Sequence, residues 1–218
     1  MDQRERRGII RDGIGVGIAT GAYGVSFGAI SVAAGLSVLQ TCALSLLMFT
    51  GASQFAFVGV INGGGGAFAG AATAVLLGSR NALYGLRLSP LLGLGGPRKA
   101  VAAQLVIDES TAMAIRPPTP ELGRVGFWSA GLGVYVFWNL GTLMGALAGE
   151  VLPSPRTLGL DAAVPAAFLA LLAPRMRGRE PWTVALVAAA VALLSVPFVP
   201  AGVPVLLAAG VAIVMGVR

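Results

Sequence analysis

The stretch Thr41–Ile61 reads TCALSLLMFTGASQFAFVGVI, apolar at both ends and polar at its centre, Thr50-Gly51-Ala52-Ser53-Gln54. Its length is about what a helix needs to cross a bilayer, roughly 20 residues. A glutamine at mid-depth finds no water there and costs several kcal/mol unless something pairs with it. Gly51 beside it loosens the helix. Polar groups so placed either pack against a neighbouring helix or line a path for a solute. A helix–helix hydrogen bond, worth about 0.6–2 kcal/mol, accounts for Thr50 or Ser53 alone. It accounts less well for glycine, serine and glutamine within one turn.

The whole chain points to a membrane. Of 218 residues, 56% are hydrophobic and 11% charged, and the mean hydropathy is +0.84. A soluble domain carries roughly 25% charged residues. An all-α polytopic transmembrane bundle of about six or seven spans is expected, as one domain over residues 1–218. The net charge of +6 comes from arginines at segment ends, which suits orientation in a membrane better than nucleic-acid binding. The sequence has no histidine, which removes His-based metal sites and serine–histidine triads. Phosphate-binding loops and Gly-x-Ser-x-Gly are absent too, so no enzyme, metal or cofactor is expected. Cys42, the one cysteine, lies in an apolar segment and packs as a small hydrophobe.

The apolar segments follow in order. Residues 13–34 form an uncleaved first span in which Gly17, Gly21, Gly24 and Gly28 make a smooth ridge. Residues 41–61 carry the polar break, and the glycines at 63–66 are a turn. Residues 67–92 are apolar to Leu77, then read Gly78-Ser79-Arg80-Asn81-Ala82-Leu83-Tyr84. Arg80 must snorkel, pair or face a polar cavity, and Tyr84 shares its helix face. Residues 100–115 hold Gln104, Asp108 and Glu109 and are too short and polar for a confident span. There the choice lies between a solvated helix whose carboxylates pair with Arg98, Lys99 and Arg116, and an interior carboxylate that binds an ammonium group or a proton. Residues 125–148 are a clear span, with a second glycine ridge at Gly141, Gly145 and Gly149. Residues 158–173 are interrupted at Asp161 and Pro165, and 182–196 and 203–217 complete the set.

Basic residues cluster in the amino-terminal arm, at 96–124 and at 175–179. The positive-inside rule places all three in the cytoplasm. Three full crossings by 13–34, 41–61 and 67–92 contradict that placement. Either one of the last two is re-entrant, or 100–115 crosses, or the rule fails here. The glycine patterns around Gly24–Gly28 and Gly141–Gly145, each followed by an interrupted segment, suggest an inverted repeat with halves 13–92 and 125–217.

Phe49-Thr50-Gly51-Ala52-Ser53-Gln54-Phe55 resembles the AGASQF signature of the AzlC-type branched-chain amino acid permeases. Arg80-Asn81-Ala82-Leu83-Tyr84 stands where that family has an Arg-His and Leu-Tyr motif. Ile107-Asp108-Glu109 stands at its Thr-Asp-Glu, Asn139 to Gly145 at its glycine-bearing segment, and Leu160 to Leu169 at its proline-containing one. The resemblance covers essentially the whole chain. Asn81 replaces the usual histidine, and Gly78 the usual Asn or Asp. The resemblance implies a multi-pass bacterial inner-membrane exporter of branched-chain amino acids, acting with a small AzlD-type membrane subunit. Self-association is an equal option for a chain with two glycine ridges. The expected substrate path comprises Thr50, Gly51, Ala52, Ser53, Gln54, Arg80, Asn81, Tyr84, Asp108, Glu109, Asn139 and Pro165. The substrate carboxylate would meet Arg80 or a helix restarting near Gly51. Its ammonium would meet carbonyls freed by the break, the Gln54 oxygen, or Asp108. The alternatives are a non-transporting scaffold, in which Gln54 and Arg80 pair with each other or with a partner, and a passive channel.

Overall fold

The computed structural model describes residues 3–151, 169, 172–173 and 176–216. Asp161 and Pro165, with most of the 158–173 segment, lie outside the described residues. Among the described residues the chain is helical, with no strand: α1 (Gln3–Ala33), α2 (Val38–Leu47), α3 (Gly51–Asn62), α4 (Ala67–Leu92), α5 (Gly96–Gln104), α6 (Asp108–Ile115), α7 (Pro120–Val151), α8 (Arg179–Ser195) and α9 (Val203–Gly216). Of these, α1 and α7 are long and apolar enough to cross a membrane by themselves. At 31 and 32 residues each is roughly 45 Å long.

The two long helices pack through the glycine ridges. Gly13 faces Ser129, Gly17 faces Gly133, Gly21 faces Phe137, Gly24 faces Trp138 and Gly28 faces Thr142. Both sets of numbers rise together, so α1 and α7 run parallel. A Cβ on Gly17 would lie 2.6 Å from the Gly133 carbonyl carbon, and one on Gly24 2.6 Å from the Trp138 oxygen. Only glycine lets the backbones come so close. Gly141 and Gly145 answer from the other side against the Gly21 and Val25 carbonyls. The common amino-terminal end of the pair is basic, with Arg4, Arg6, Arg7 and Arg11 on α1 and Arg124 on α7.

Around this pair the chain turns back twice. Gly35, at φ 96°, ends α1 at the far end, and Ser37 and Gln40 form a capping box that starts α2 there. The α2 helix descends only to mid-height, where Ser45 meets Thr142 at 3.2 Å and the Leu46 carbonyl meets the Tyr135 hydroxyl at 3.4 Å. The chain breaks at 48–50, and α3 climbs back beside α4. Ser53 bonds the Ala74 carbonyl at 2.8 Å, and Phe57 abuts Gly70. From the 63–66 turn α4 runs unbroken to the basic end, where Arg124 Nε donates to the Leu91 carbonyl at 2.8 Å. Gly93, in the left-handed region at φ 60°, closes it. The α5 helix then climbs to mid-height, Leu105 sits against Gly131, and α6 descends past Gly126 to Gly123. The α8–α9 connection packs at the far end, with Ala201 against Gly63 and Gly65.

Several expectations change. The 41–61 segment is not one helix but two arms of a pair that turns back, because Thr50 at φ −157° and ψ 105° takes extended backbone at the break. The 67–92 segment is continuous despite Gly78 and Arg80. The 100–115 stretch is also two arms, α5 and α6, that turn back at 105–107. The basic arm at 3–12 belongs to α1 rather than preceding it.

Candidate functional site

The tips of the two turn-backs meet at mid-height. The α2 end would leave its last carbonyls without helical partners. Gln54 Nε2 takes Met48 O at 2.7 Å and Ser45 O at 3.3 Å. Gln104 Nε2, from the end of α5, takes Leu46 O at 2.9 Å and Leu47 O at 3.2 Å. One glutamine from each pair thus satisfies the same helix end, which supplies the partner that a buried amide requires.

Gln54 is fully buried, and its Oε1 accepts the Trp138 indole N–H at 2.9 Å. The indole is stacked on Phe27 at 6.0 Å and meets the edge of Phe55 at 6.1 Å. Gly51 lies against the ring's far edge, where a Cβ would be 3.1 Å from Cη2.

Between the tips is a cavity of about 180 Å³. Phe49, Thr50, Gly51, Ala52 and Phe55 form one wall, Val134 and Trp138 of α7 a second, and Thr20 and Tyr23 of α1 a third. Arg80 of α4 and Ile107, Asp108 and Glu109 at the start of α6 complete it. The Thr50 side chain does not cap α3. The first N–H groups of α3, at Gly51 and Ala52, therefore have no helical acceptor and carry the positive end of the helix dipole to the cavity.

The charges are unevenly matched. Arg80 Nη2 pairs with Asp108 Oδ2 at 2.6 Å, and the Tyr84 hydroxyl donates to Asp108 Oδ1 at 2.8 Å. Arg80 Nε is buried without a partner among the described residues. Glu109, beside Asp108 on the cavity wall, accepts from its own backbone N–H and has no ion pair among the described residues. Asp108 does not pair with Arg98, Lys99 or Arg116, as a solvated helix would have it. Gln54 and Arg80 do not pair with each other, because each is already engaged elsewhere.

The profile of the family described as AzlC protein matches residues 15–152. The chain belongs to the AzlC family. An uncharacterized membrane protein of Archaeoglobus fulgidus is 31% identical over 157 residues, 71% of this chain and 68% of that protein. An uncharacterized membrane protein of Haemophilus influenzae is 26% identical over 154 residues, 69% of this chain and 62% of that protein. No solved structure matches the chain. The AzlC chain is thus a membrane protein, and its family match runs from within α1 through α7, the helices that build the cavity.

Within this AzlC chain, the structure brings Thr50, Gly51, Ala52, Arg80, Asp108 and Glu109 together on the cavity wall. Ser53, Gln54 and Tyr84 stand one layer behind, holding Ala74, Trp138 and Asp108 respectively. Asn139 Nδ2 donates to the Tyr135 carbonyl at 2.7 Å, and its buried Oδ1, like that of Asn81, has no partner among the described residues. Sequence reasoning passed over Trp138 and Gln104. Trp138 carried a readable signal, since a mid-span indole N–H needs an acceptor and Gln54 at similar depth supplies one.

Proposed function

We propose that this chain is a plasma-membrane transporter that exports branched-chain and similar small apolar amino acids. The cavity between the two tips carries the reading. A zwitterion with an apolar side chain needs an anion site, a cation site and an apolar wall. Arg80, with its unused Nε, and the uncapped start of α3 serve the carboxylate. Glu109 serves the ammonium, because Asp108 is held by Arg80 and Tyr84 and the carbonyls of the α2 end by Gln54 and Gln104. Phe49, Phe55, Val134 and Trp138 receive the side chain. A volume near 180 Å³ is close to the roughly 150 Å³ that holds one benzene molecule, so one small amino acid fits.

In this reading α1, α4 and α7 cross the membrane, and the α2–α3 and α5–α6 pairs are re-entrant from opposite faces. A single full crossing between α1 and α7 makes them parallel and places the basic end in the cytoplasm, which removes the parity conflict. A long helix followed by a re-entrant pair occurs twice with opposite sense, in α1 to α3 and in α4 to α6. This is the arrangement of an inverted repeat with its site near the midplane, and it divides the chain differently from halves at 13–92 and 125–217. The direction of transport and a companion, a small AzlD-type membrane subunit, come from the family resemblance.

Exchange of radiolabelled valine into vesicles loaded with valine tests the function, with the chain reconstituted alone and with its companion. Exchange abolished in Arg80→Ala and Glu109→Gln supports it. Wild-type exchange in both variants, or no exchange of any branched-chain amino acid by the wild type with its companion, overturns it.

A further inference from the structure

We infer that Gln54 sets the size limit of the cavity by fixing the Trp138 indole as its wall; the inference rests on the amino acid reading of that site. Trp138 lines the cavity and is held on several sides. Phe27 stacks on one face at an interplanar angle of 24°, and Phe55 meets it at 86°. Gly51 leaves room for the far edge of the ring, where any side chain would press against Cη2. These apolar contacts bound the ring but offer its N–H no acceptor. The bond from Nε1 to Gln54 Oε1 is the polar contact that holds the ring where it is. Gln54 is itself immobile, with both ends engaged, since its amide group is tied to Met48 O and Ser45 O. The indole is therefore referenced to the break in the α2–α3 pair, and the wall cannot yield to a larger guest unless the bond breaks.

The bond gives Gln54 a role distinct from the bland one of satisfying a helix end. Gln54→Leu leaves a buried indole N–H without an acceptor and frees the ring to turn. The cavity then admits larger apolar side chains, and discrimination weakens. Trp138→Phe removes the N–H and the five-membered ring together, so it enlarges the same wall without an orphaned donor. Gly51→Ala acts in the opposite sense, pushing the ring toward the guest.

Vesicle exchange with alanine, valine, leucine and phenylalanine reads this directly as ratios of initial rates. The expected result is a rise of about tenfold in the phenylalanine-to-valine ratio for Gln54→Leu and for Trp138→Phe, the scale of a changed methylene in an apolar pocket. For Gly51→Ala the leucine-to-alanine ratio falls. If Gln54→Leu does not accumulate, Trp138→Phe and Gly51→Ala decide the matter. A purely structural Gln54 lowers all four rates by one factor and leaves the ratios where they were, and unchanged ratios in these variants overturn the inference. A wild type that exchanges none of the four amino acids removes the amino acid reading, and the size limit with it. A wild type that exchanges them with unaltered ratios in the variants removes the size limit alone.

Discussion

Arg80 of α4 and Asp108 of α6 meet with 2.6 Å between Nη2 and Oδ2, joining the helix that runs unbroken between the two ends to the pair that turns back beside it. Tyr84, one turn along α4, donates to the second carboxylate oxygen at 2.8 Å. Both partners are more than two-thirds buried, so removing either charge strands the other in a poorly solvated place. Asp108→Asn keeps an acceptor for Tyr84 but leaves Arg80 unpaired. It is expected to cost on the order of 3 kcal/mol. Arg80→Met combined with Asp108→Asn is expected to recover most of that loss, because no charge is left unpaired. Thermal unfolding of the three variants in detergent checks this, and a double variant no more stable than Asp108→Asn contradicts it.

Gln104 predicts a local effect. Its amide group is the contact between the two tips, donating to Leu46 O and Leu47 O. Gln104→Leu retains the bulk and removes both bonds, leaving Leu47 O without this donor while Leu46 O keeps the Tyr135 hydroxyl, at about 0.5–1.5 kcal/mol per bond. Hydrogen–deuterium exchange is expected to rise in the 46–52 segment and to stay unchanged along α9, which follows the connection packed at the far end against Gly63 and Gly65. Uniform exchange in wild type and variant would mean that the tips are held together by apolar contact alone.

How far the sequence anticipated this architecture depends on which interactions are local. The glycine ridges were legible, because a spacing of three or four places them on one face, and both prove to lie at the same interface. The break at Thr50–Gln54 was legible because polar residues at mid-span demand partners. The identity of those partners was not. Gln54 meets Trp138 and Arg80 meets Asp108 across long separations in the chain, and nothing in the local pattern chooses among candidate mates. The 100–115 stretch left a solvated helix and an interior carboxylate both open, because its charges are near Arg98 and Arg116 in sequence. The turn at Leu105–Ile107 carries Asp108 away from them and toward α4. Pro165 lies outside the described residues.

The contact between α1 and α7 makes a prediction that separates two kinds of glycine. A Cβ on Gly141 meets the Gly21 carbonyl, and one on Gly145 meets the Val25 carbonyl, whereas one on Gly15 meets nothing within 4 Å. Backbone carbonyls inside a helix cannot step aside, so Gly145→Ala forces the helices apart and is expected to cost about 3 kcal/mol or more. Gly15→Ala fills open space and gains helix propensity, up to about 1 kcal/mol. Melting temperatures followed by size-exclusion fluorescence are expected to fall sharply for the first and to hold or rise for the second. Equal effects would remove the glycine interface as the reason for the parallel packing.

The placement of α4 as the one full crossing between α1 and α7 is open to a labelling test. Asn62, at the end of α3, and Lys99, near the start of α5, are both exposed and sit at opposite ends of α4. Arg177 precedes α8, whose other end leads into the connection packed against Gly63 and Gly65. In a Cys42→Ala background, single cysteines at Lys99 and Arg177 are expected to be shielded from a membrane-impermeant maleimide in intact cells and to react after lysis. A cysteine at Asn62 is expected to react in intact cells. The three positions separate the competing geometries because each moves differently. If α2–α3 crossed fully instead of turning back, Asn62 would be shielded and Lys99 would react. If α5–α6 crossed, Asn62 and Lys99 would keep their sides, but α7 would run opposite to α1 and the glycine ridges could not meet in the observed register. Reaction of Lys99 in intact cells would therefore sink the assignment of the α2–α3 pair as re-entrant, and with it a cavity closed by one pair from each face.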